Sequence, residues 1–368
     1  MLFKTILVEA LDRFSRYAAL QENCEPSEYQ YWLNRNPYFI SHGVEERILL
    51  LKRLNIGGTN DVFLARNWLE KSSKKQVQQE RDVVVKICKY WAEKGPNRHH
   101  RLNRILSAFQ DEIRINNLLR ATNIEGVVQS FGGGTAGKYP YLKMEYIKGD
   151  SLDKEFRTNL SKDEKIARYA KLGYLANTIS QLHYYQVIHK DLKPKNLLLC
   201  RDDDHPNNHK ILICDFGFAQ AKLRESVTEY GGQMTPGYSA PEQVLMGGDA
   251  LTEMVDYFSF GVILHEYITG KHLFPQALNI FMEDGFRVTE RYIEHLRTGK
   301  ENVLECELCP EITEWVDTLT TFDSVERKKV CPNLFDVAHR LREVVNETGY
   351  QDVNTDFLWN QLKEYGKV

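Results

Sequence analysis

Two short runs near the middle of the chain hold the residues best suited to chemistry. The first reads His189-Lys190-Asp191-Leu192-Lys193-Pro194-Lys195-Asn196, and the second, Asp215-Phe216-Gly217, directly follows an apolar run. Asp215 would present a hard oxygen ligand at a strand end, and Asn196 follows Asp191 by five residues. Phosphoryl transfer needs a carboxylate that holds a metal, an aligned hydroxyl and charges that neutralise phosphate. The two runs therefore indicate phosphoryl-transfer chemistry.

Two further pieces stand in a fixed order around these runs. Lys86 closes the apolar segment Val83-Val84-Val85 upstream, and Ala240-Pro241-Glu242 follows downstream. Together the pieces resemble the active-site signature of the eukaryotic-type protein kinases. The resemblance covers residues 45–345 and implies an α+β, bilobal protein-kinase-like fold. Such a fold has a small β-rich N-lobe with one main helix and a larger helical C-lobe, and the family uses ATP and Mg²⁺.

The resemblance divides the chain into four segments. These are an N-terminal helical extension over 1–44, the kinase N-lobe over 45–146, the kinase C-lobe over 147–345 and a C-terminal helical tail over 346–368. The first and last segments each carry apolar residues at helical spacing, which predicts amphipathic helices. We expect both helices to pack on the body of the protein, with docking of a regulatory partner as the alternative.

Local patterns predict the elements inside the lobes. Residues 45–66 predict two strands around a glycine-containing turn, and 105–119 predicts a helix. The polar stretch 71–81 predicts a solvated loop, and 132–134 predicts a tight turn between strands. The second half is mostly helical in its periodicity.

The resemblance gives four residues of the two central runs a role. Asp191 is expected to orient the substrate hydroxyl and to accept its proton, and Lys193 is expected to contact the γ-phosphate. Asn196 and Asp215 are expected to hold Mg²⁺, a cation that prefers oxygen ligands.

Lys86 is expected to contact the α- and β-phosphates of ATP. A lysine at the end of an apolar strand would be costly if it were buried without a partner. Glu112 is the expected partner on the following helix. Asp111 is the alternative, because one residue turns a helical side chain by about 100°.

The loop before Val62 departs from the family pattern G-x-G-x-x-G-x-V. It reads Asn55-Ile56-Gly57-Gly58-Thr59-Asn60-Asp61-Val62, so that only Gly57 matches and Gly58 is additional. Asparagine tolerates positive φ better than other non-glycine residues, so the turn can form. The asparagine side chain limits how closely the backbone of this loop approaches phosphate. This loop is the one feature that favours the alternative function, a pseudokinase-type ATP-binding signalling scaffold.

The remaining nucleotide contacts follow from the resemblance alone. They surround the adenine and the ribose and comprise Met144 as gatekeeper, Glu145 and Ile147 in the hinge, Val62, Val84 and Leu198 as roof and floor, and Ser151 as a polar ribose contact.

Residues 235–242 resemble the peptide-docking loop of Ser/Thr kinases. Thr235 is expected to hydrogen-bond Asp191 and Lys193, which favours serine and threonine over tyrosine as acceptors. Glu242 is expected to form a structural ion pair with Arg327. These features argue against a third function, phosphorylation of small molecules by an enzyme of the aminoglycoside-kinase type.

Three other residues carry expectations of their own. Asp256 resembles the buried aspartate that anchors the catalytic-loop backbone. Lys190 stands where the family usually has arginine and offers only a point charge, so we expect activity to depend weakly on activation-loop phosphorylation. Lys195 adds a cation near the acceptor and is expected to repel arginine-rich substrates.

Composition limits the partners. The formal net charge of −3 favours neither nucleic acid nor anionic membranes, and no run is long enough to span a bilayer. The seven cysteines are scattered and odd in number, which favours a reducing, cytoplasmic compartment. Cys306 and Cys309 form a lone C-x-x-C, for which reduced thiols are expected rather than a zinc site with Cys331. The expected partners are proteins with Ser/Thr acceptors.

Overall fold

The computed structural model describes residues 38–42, 46–56, 60–70, 77–88, 98–122, 124–136, 139–200, 210–221, 235–245, 251–280, 285–301, 306 and 308–349. These residues form two compact units. The described residues up to Ala121 together with Gln129–Tyr146 form the first unit, and Thr122–Val128 together with the described residues from Ile147 onward form the second.

The first unit is built on a six-stranded antiparallel sheet with the order β1-β2-β3-β4-β6-β5. Its strands are β1 (Tyr38–His42), β2 (Glu46–Ile56), β3 (Asn60–Glu70), β4 (Val77–Cys88), β5 (Ser130–Ala136) and β6 (Tyr139–Glu145). Burial alternates along β3, where Phe63 and Ala65 are fully buried and their neighbours are partly exposed. β-Branched residues such as Val83 and Val85 suit this pleated, buried surface.

Helix α1 (Arg98–Thr122) packs on the other face of this sheet. Cys88 and Leu142 are fully buried against Phe109 of the helix, and Met144 joins the same cluster. Lys86 lies two residues before Cys88 on β4. Because residues two apart on a strand share a face, the Lys86 side chain points toward the face that helix α1 covers.

The second unit is mainly helical. Its helices are α2 (Lys162–Tyr184), α3 (Pro241–Leu245), α4 (Met254–Thr269), α5 (Pro275–Leu278), α6 (Gly285–Thr298), α7 (Glu311–Leu319), α8 (Ser324–Val330) and α9 (Leu334–Glu347). Helix α2 starts with a reciprocal capping box between Ser161 and Glu164. Helix α4 is buried along almost its whole length and forms the centre of the unit.

Short strands of the second unit position the runs 189–196 and 215–217. They are β7 (Gly149–Ser151), β8 (Val187–Ile188), β9 (Leu197–Cys200), β10 (Lys210–Ile213) and β11 (Gln220–Ala221). They pair as β10-β9-β7 and as β11-β8. The run 189–196 therefore connects β8 to β9, and Asp215 follows β10.

The expected α+β fold is confirmed, but three local predictions were wrong. The expected helical extension over 1–44 includes a strand, β1, because its aromatic and β-branched residues pair with Ile48 and Leu50 of β2. The expected loop over 71–81 gives way to β4 from Val77, since polar residues at 77–81 continue the pairing with β3.

The third wrong prediction is the turn at 132–134, which lies inside β5. Gly132 has φ +92° at a register shift, a conformation that favours glycine. A Cβ atom at Gly133 would lie 2.7 Å from the carbonyl oxygen of Tyr141, so close strand approach explains this glycine. The predicted N-terminal helix, the tail over 352–368 and the residues Gly57 and Gly58 lie outside the described residues. Among the described helices, none is both long and apolar enough to cross a bilayer.

Candidate active site

The backbone of the run 189–196 is held by a buried carboxylate on helix α4. Asp256 is fully buried and accepts hydrogen bonds of 2.8 Å each from the backbone N–H groups of His189 and Lys190 and from Nε2 of His183. Burial alone would raise the pKa of Asp256, but the hydrogen bond and charge of His183, together with His189, lower it below its usual value. Asp256 therefore stays ionised and fixes the loop.

His189 links the loop to the segment that leads to Asp215. Its Nδ1 accepts a 3.2 Å hydrogen bond from the N–H of Asp191, and its Nε2 lies 3.1 Å from the carbonyl oxygen of Cys214. Because Nδ1 is the acceptor, Nε2 must carry the proton that it donates to Cys214. The N–H of Cys214 in turn donates to the carbonyl of Asn196 at 2.9 Å.

The Asp191 carboxylate lies at the centre of a hydrogen-bond network. Its Oδ2 accepts from Lys193 Nζ at 2.7 Å and from Asn196 Nδ2 at 3.1 Å. Its Oδ1 accepts from the Thr235 hydroxyl at 2.6 Å, and Lys193 Nζ also contacts that hydroxyl oxygen at 3.0 Å. These contacts hold a carboxylate in one orientation, which is the arrangement that a general base requires.

Asn196 and Asp215 are the candidate metal ligands. The amide nitrogen of Asn196 donates to the Asp191 carbonyl at 2.9 Å as well as to its carboxylate, which leaves Oδ1 of Asn196 to meet a cation. Asp215 is half-buried and has φ +63°, a left-handed conformation that is strained for a residue other than glycine. An amide oxygen and a carboxylate fit Mg²⁺, which retains waters and takes its other ligands from phosphate.

The first unit contains a buried ion pair. Lys86 Nζ lies 2.6 Å from Glu112 Oε1, and the two side chains are 7% and 2% exposed. Asp111, the alternative partner, instead lies 2.6 Å from Arg114 on the same exposed helix face. Glu112 thus holds the buried Lys86 ammonium near the end of β4, where the ammonium can contact phosphate.

Four of the expected nucleotide-binding residues of the first unit share one sheet face, namely Val62, Val84, Lys86 and Met144. Val62 pairs directly with Lys86 across β3 and β4, and Met144 pairs with Val84 across β4 and β6. The N–H of Glu145 donates to the Gln129 carbonyl at 2.9 Å, so a hinge contact from this residue would have to use its carbonyl. Burial raises the pKa of the Glu145 carboxyl.

The other expected nucleotide contacts lie in the second unit or beside the loop. Ser151 of β7 pairs in register with Leu198 of β9. The Ser151 hydroxyl donates to Asp153, so its oxygen can only accept from a ligand hydroxyl. Asn55 is exposed at the end of β2 and Asn60 begins β3, on either side of the loop glycines.

The docking loop is held by contacts to three helices. Arg327 of α8 is fully buried and contacts Glu242 of α3 through two hydrogen bonds of 2.6 and 3.3 Å. The Tyr238 hydroxyl donates to Glu266 of α4 at 2.5 Å. Burial is the main cause that raises the pKa of Glu266 to about 7. Gly237 has φ +83° and lies against His272, which leaves no room for a side chain.

Sequence reasoning missed several residues that hold this site. Asp153 contacts Ser151, while Gln243 and Glu266 contact residues of the runs 189–196 and 235–242, yet no motif contains these three residues. The sequence gives His189 no role beyond its place in the run 189–196, although its imidazole bridges Asp191 and Cys214. The Lys190 ammonium lies 3.5 Å from Gln220 Oε1, and the following residues 222–234 lie outside the described residues, so the expected weak dependence on phosphorylation stays a prediction.

The C-x-x-C pair shows no sign of metal binding in the described part of the chain. No cluster of three or more potential ligands occurs there. The Cys309 thiol donates to Glu311 at 3.4 Å, and burial raises its pKa to about 12. Cys331 instead lies 4.0 Å from the sulfur of Met254.

Comparison with known proteins gives a family match. The model of the protein kinase domain matches residues 73–342. The serine/threonine-protein kinase atg1 of Dictyostelium discoideum is 34% identical over 53% of this chain and 28% of its own length. The serine/threonine-protein kinase PknB of Mycolicibacterium smegmatis is 27% identical over 62% of this chain and 33% of its length. Ribosomal protein S6 kinase alpha-3 of Mus musculus is 35% identical over 50% of this chain and 24% of its own length. The chain thus spans about a third or less of these relatives.

Proposed function

Because this chain belongs to the protein kinase family, we propose that it is an active serine/threonine protein kinase. It transfers the γ-phosphate of Mg-ATP to serine and threonine hydroxyls of proteins. The observation that carries the proposal is the network in which Lys193, Asn196 and Thr235 all contact the Asp191 carboxylate.

Asp191 acts as the base in this proposal. A substrate hydroxyl would donate to the Asp191 carboxylate, which Thr235 holds in place and which accepts the proton while the hydroxyl oxygen bonds to the γ-phosphorus. The bond from that phosphorus to the leaving oxygen of ADP breaks in the same displacement. Lys193, already beside the carboxylate, neutralises charge on the transferred group.

Each unit contributes its own residues toward the nucleotide in this proposal. Lys86 contacts the α- and β-phosphates and is kept in place by Glu112. Asn196 and Asp215 hold Mg²⁺, which when bound neutralises phosphate charge. Ser151 accepts a hydrogen bond from a ribose hydroxyl, because its own proton is used by Asp153.

The two alternative functions are less well supported. A pseudokinase scaffold would not need every catalytic residue, yet Lys86, Asp191, Asn196 and Asp215 are all present. A small-molecule phosphotransferase would not need the loop 235–242, whose contacts to α3, α4 and α8 build a docking surface for a polypeptide. Protein substrates therefore fit better than small alcohols.

Localisation and regulation complete the proposal. The cysteines that the structure describes form no disulfide, which supports a reducing compartment such as the cytoplasm. Docking of a regulatory partner at the terminal segments stays a prediction.

The test is transfer of labelled γ-phosphate from Mg-ATP to a generic Ser/Thr protein substrate. We expect signal from the wild type and its loss in Asp191→Ala. Asp163→Ala, which removes an exposed carboxylate in the first turn of α2, is the matched control and should keep full activity. ATP binding without transfer in the wild type would contradict the proposal and favour the scaffold.

A further inference from the structure

The side chain of Gln243 connects the docking loop, residues 235–242, to the run 189–196, which we call the catalytic loop. Its Nε2 donates to the carbonyl oxygen of Lys190 at 2.7 Å, and its Oε1 accepts from the N–H of Ala240 at 2.9 Å. Chemistry fixes this orientation of the amide, because a backbone carbonyl can only accept and a backbone N–H can only donate. Gln243 belongs to none of the motifs that the sequence offered.

The carbonyl that Gln243 contacts lies in the peptide group directly before Asp191. The N–H of the same peptide group donates to Nδ1 of His189 at 3.2 Å. Lys190 itself has φ +65°, a conformation that is costly for lysine and needs external support. Asp256 supports its N–H side at 2.8 Å, and Gln243 supports its carbonyl side. The plane of the peptide group that carries Asp191 is thus fixed at both ends.

We propose that Gln243 is a positioning residue for Asp191, which couples the docking loop to the orientation of the catalytic carboxylate. The proposal rests on the kinase function proposed above and adds a residue to it. A shift of the 190–191 peptide group would move the carboxylate that Lys193 and Thr235 now hold. Displacements of about 1 Å in such groups cost up to about a hundredfold in rate.

A simpler structural role would make a different prediction. Gln243 is the third residue of α3, and its Oε1 contact to the N–H of Ala240 is one half of a capping box. Glutamate serves that cap as well as glutamine does. Only glutamine also supplies an N–H donor for Lys190. Substitution by glutamate therefore keeps the cap and removes the contact to the catalytic loop.

The experiment compares full-length wild type and Gln243→Glu in steady-state turnover with Mg-ATP and a protein substrate. At about pH 8 we expect kcat of the variant to fall about tenfold, with KM for ATP within about twofold, because a carboxylate repels the Lys190 carbonyl. As the pH falls, a protonated carboxyl regains a donor for that carbonyl. The ratio of variant kcat to wild-type kcat should therefore rise about twofold toward about pH 5, close to the ordinary glutamate pKa of about 4.3.

Titratable groups that wild type and variant share affect both kcat values alike, so their pH dependence cancels in the ratio of variant kcat to wild-type kcat. These groups are Asp191, Asp256, the Lys190 ammonium and Glu242 with Arg327. Gln181→Glu, the same change at a half-buried position on α2, should leave kcat unaltered at every pH. Gln243→Met, which cannot titrate, should lose kcat without recovery at low pH.

Four outcomes would overturn the proposal. Equal kcat for wild type and Gln243→Glu at about pH 8 would leave Gln243 as a cap alone. A reduced ratio that does not change with pH would show that the lost donor is not the cause of the loss. If the Gln243 variants lose kcat only in proportion to their loss of thermal stability, the role of Gln243 is purely structural. A wild type without turnover would overturn the kinase function as well, so the failures of the two proposals can be told apart.

Discussion

The hydroxyl of Thr235 donates a 2.6 Å hydrogen bond to Oδ1 of Asp191, although 44 residues separate them in sequence. The docking loop and the catalytic carboxylate are therefore in direct contact, and Lys193 touches both. Because the Thr235 backbone is fixed by Ser239 at 2.8 Å, the hydroxyl has little freedom to turn away. Thr235, Lys193 and Asp191 thus share one hydrogen-bond network.

Substitution of Thr235 tests that relationship. Thr235→Val keeps the side-chain shape and removes the donor, so we expect kcat to fall about 10- to 100-fold, the worth of one hydrogen bond to a charged group. Thr235→Ser keeps the hydroxyl and should retain most of the activity. Steady-state kinetics on both variants checks the prediction, and equal activity of wild type and Thr235→Val would contradict it.

The Lys86–Glu112 pair allows stability to be separated from activity. Lys86→Met leaves the Glu112 carboxylate buried without its cation, and we expect a loss of about 3 kcal/mol in the free energy of unfolding. The double variant Lys86→Met/Glu112→Leu removes the stranded charge and should recover most of that stability. Neither variant should transfer phosphate, since both lack the lysine.

Urea unfolding and phosphate transfer, measured on the same two variants, check this. Recovery of activity together with stability in the double variant would show that Lys86 is a structural residue. Glu112→Gln alone is the control for the pair, because it keeps the lysine and should lose activity less completely than Lys86→Met.

The sequence predicts residues that lie in contiguous motifs far better than residues that support them. The run 189–196 and Asp215 are recognisable because their chemistry requires fixed spacing along the chain. Gln243 and Glu266 act through contacts to segments 53 and 28 residues away. No local pattern of charge or periodicity marks such contacts, so they appear only in three dimensions.

The errors in the fold have the same origin. The strand Tyr38–His42 is too short to show a period, and it forms because β2 offers an edge with which it can pair. The glycines at 132–134 indicate a turn by composition, whereas the close carbonyl of Tyr141 is what requires Gly133. In both cases tertiary contacts override local propensity.

Glu266 should make the stability of the protein depend on pH. Burial raises its folded-state pKa to about 7, well above the value of an unfolded glutamate. The folded state therefore retains a proton that the unfolded state releases, and stability falls as the pH rises from about 4.5 to about 7. Glu266→Gln still accepts from Tyr238 but cannot ionise, so it should gain up to about 3 kcal/mol over the wild type at about pH 8.

Thermal or urea unfolding of wild type and Glu266→Gln between about pH 4.5 and about pH 8 checks the sign of this change in stability. His265 and His272, whose pKa values burial lowers to about 4, act in the opposite direction but are present in both proteins. Their contribution cancels in the difference between wild type and Glu266→Gln. A difference that is constant with pH would show that Glu266 does not titrate in this range.

Lys195 should set a preference among substrates. It is exposed in the turn Pro194–Asn196, next to Asn196 and four residues after Asp191. A cation there repels arginine near the acceptor, and Lys195→Glu reverses the sign of that interaction. We expect kcat/KM for peptides with arginine just before the acceptor to rise about tenfold in Lys195→Glu, with little change for neutral peptides. Lys162→Glu, an exposed charge reversal on α2, should change neither. A wild-type enzyme that selects arginine at that position from a peptide library would refute the prediction.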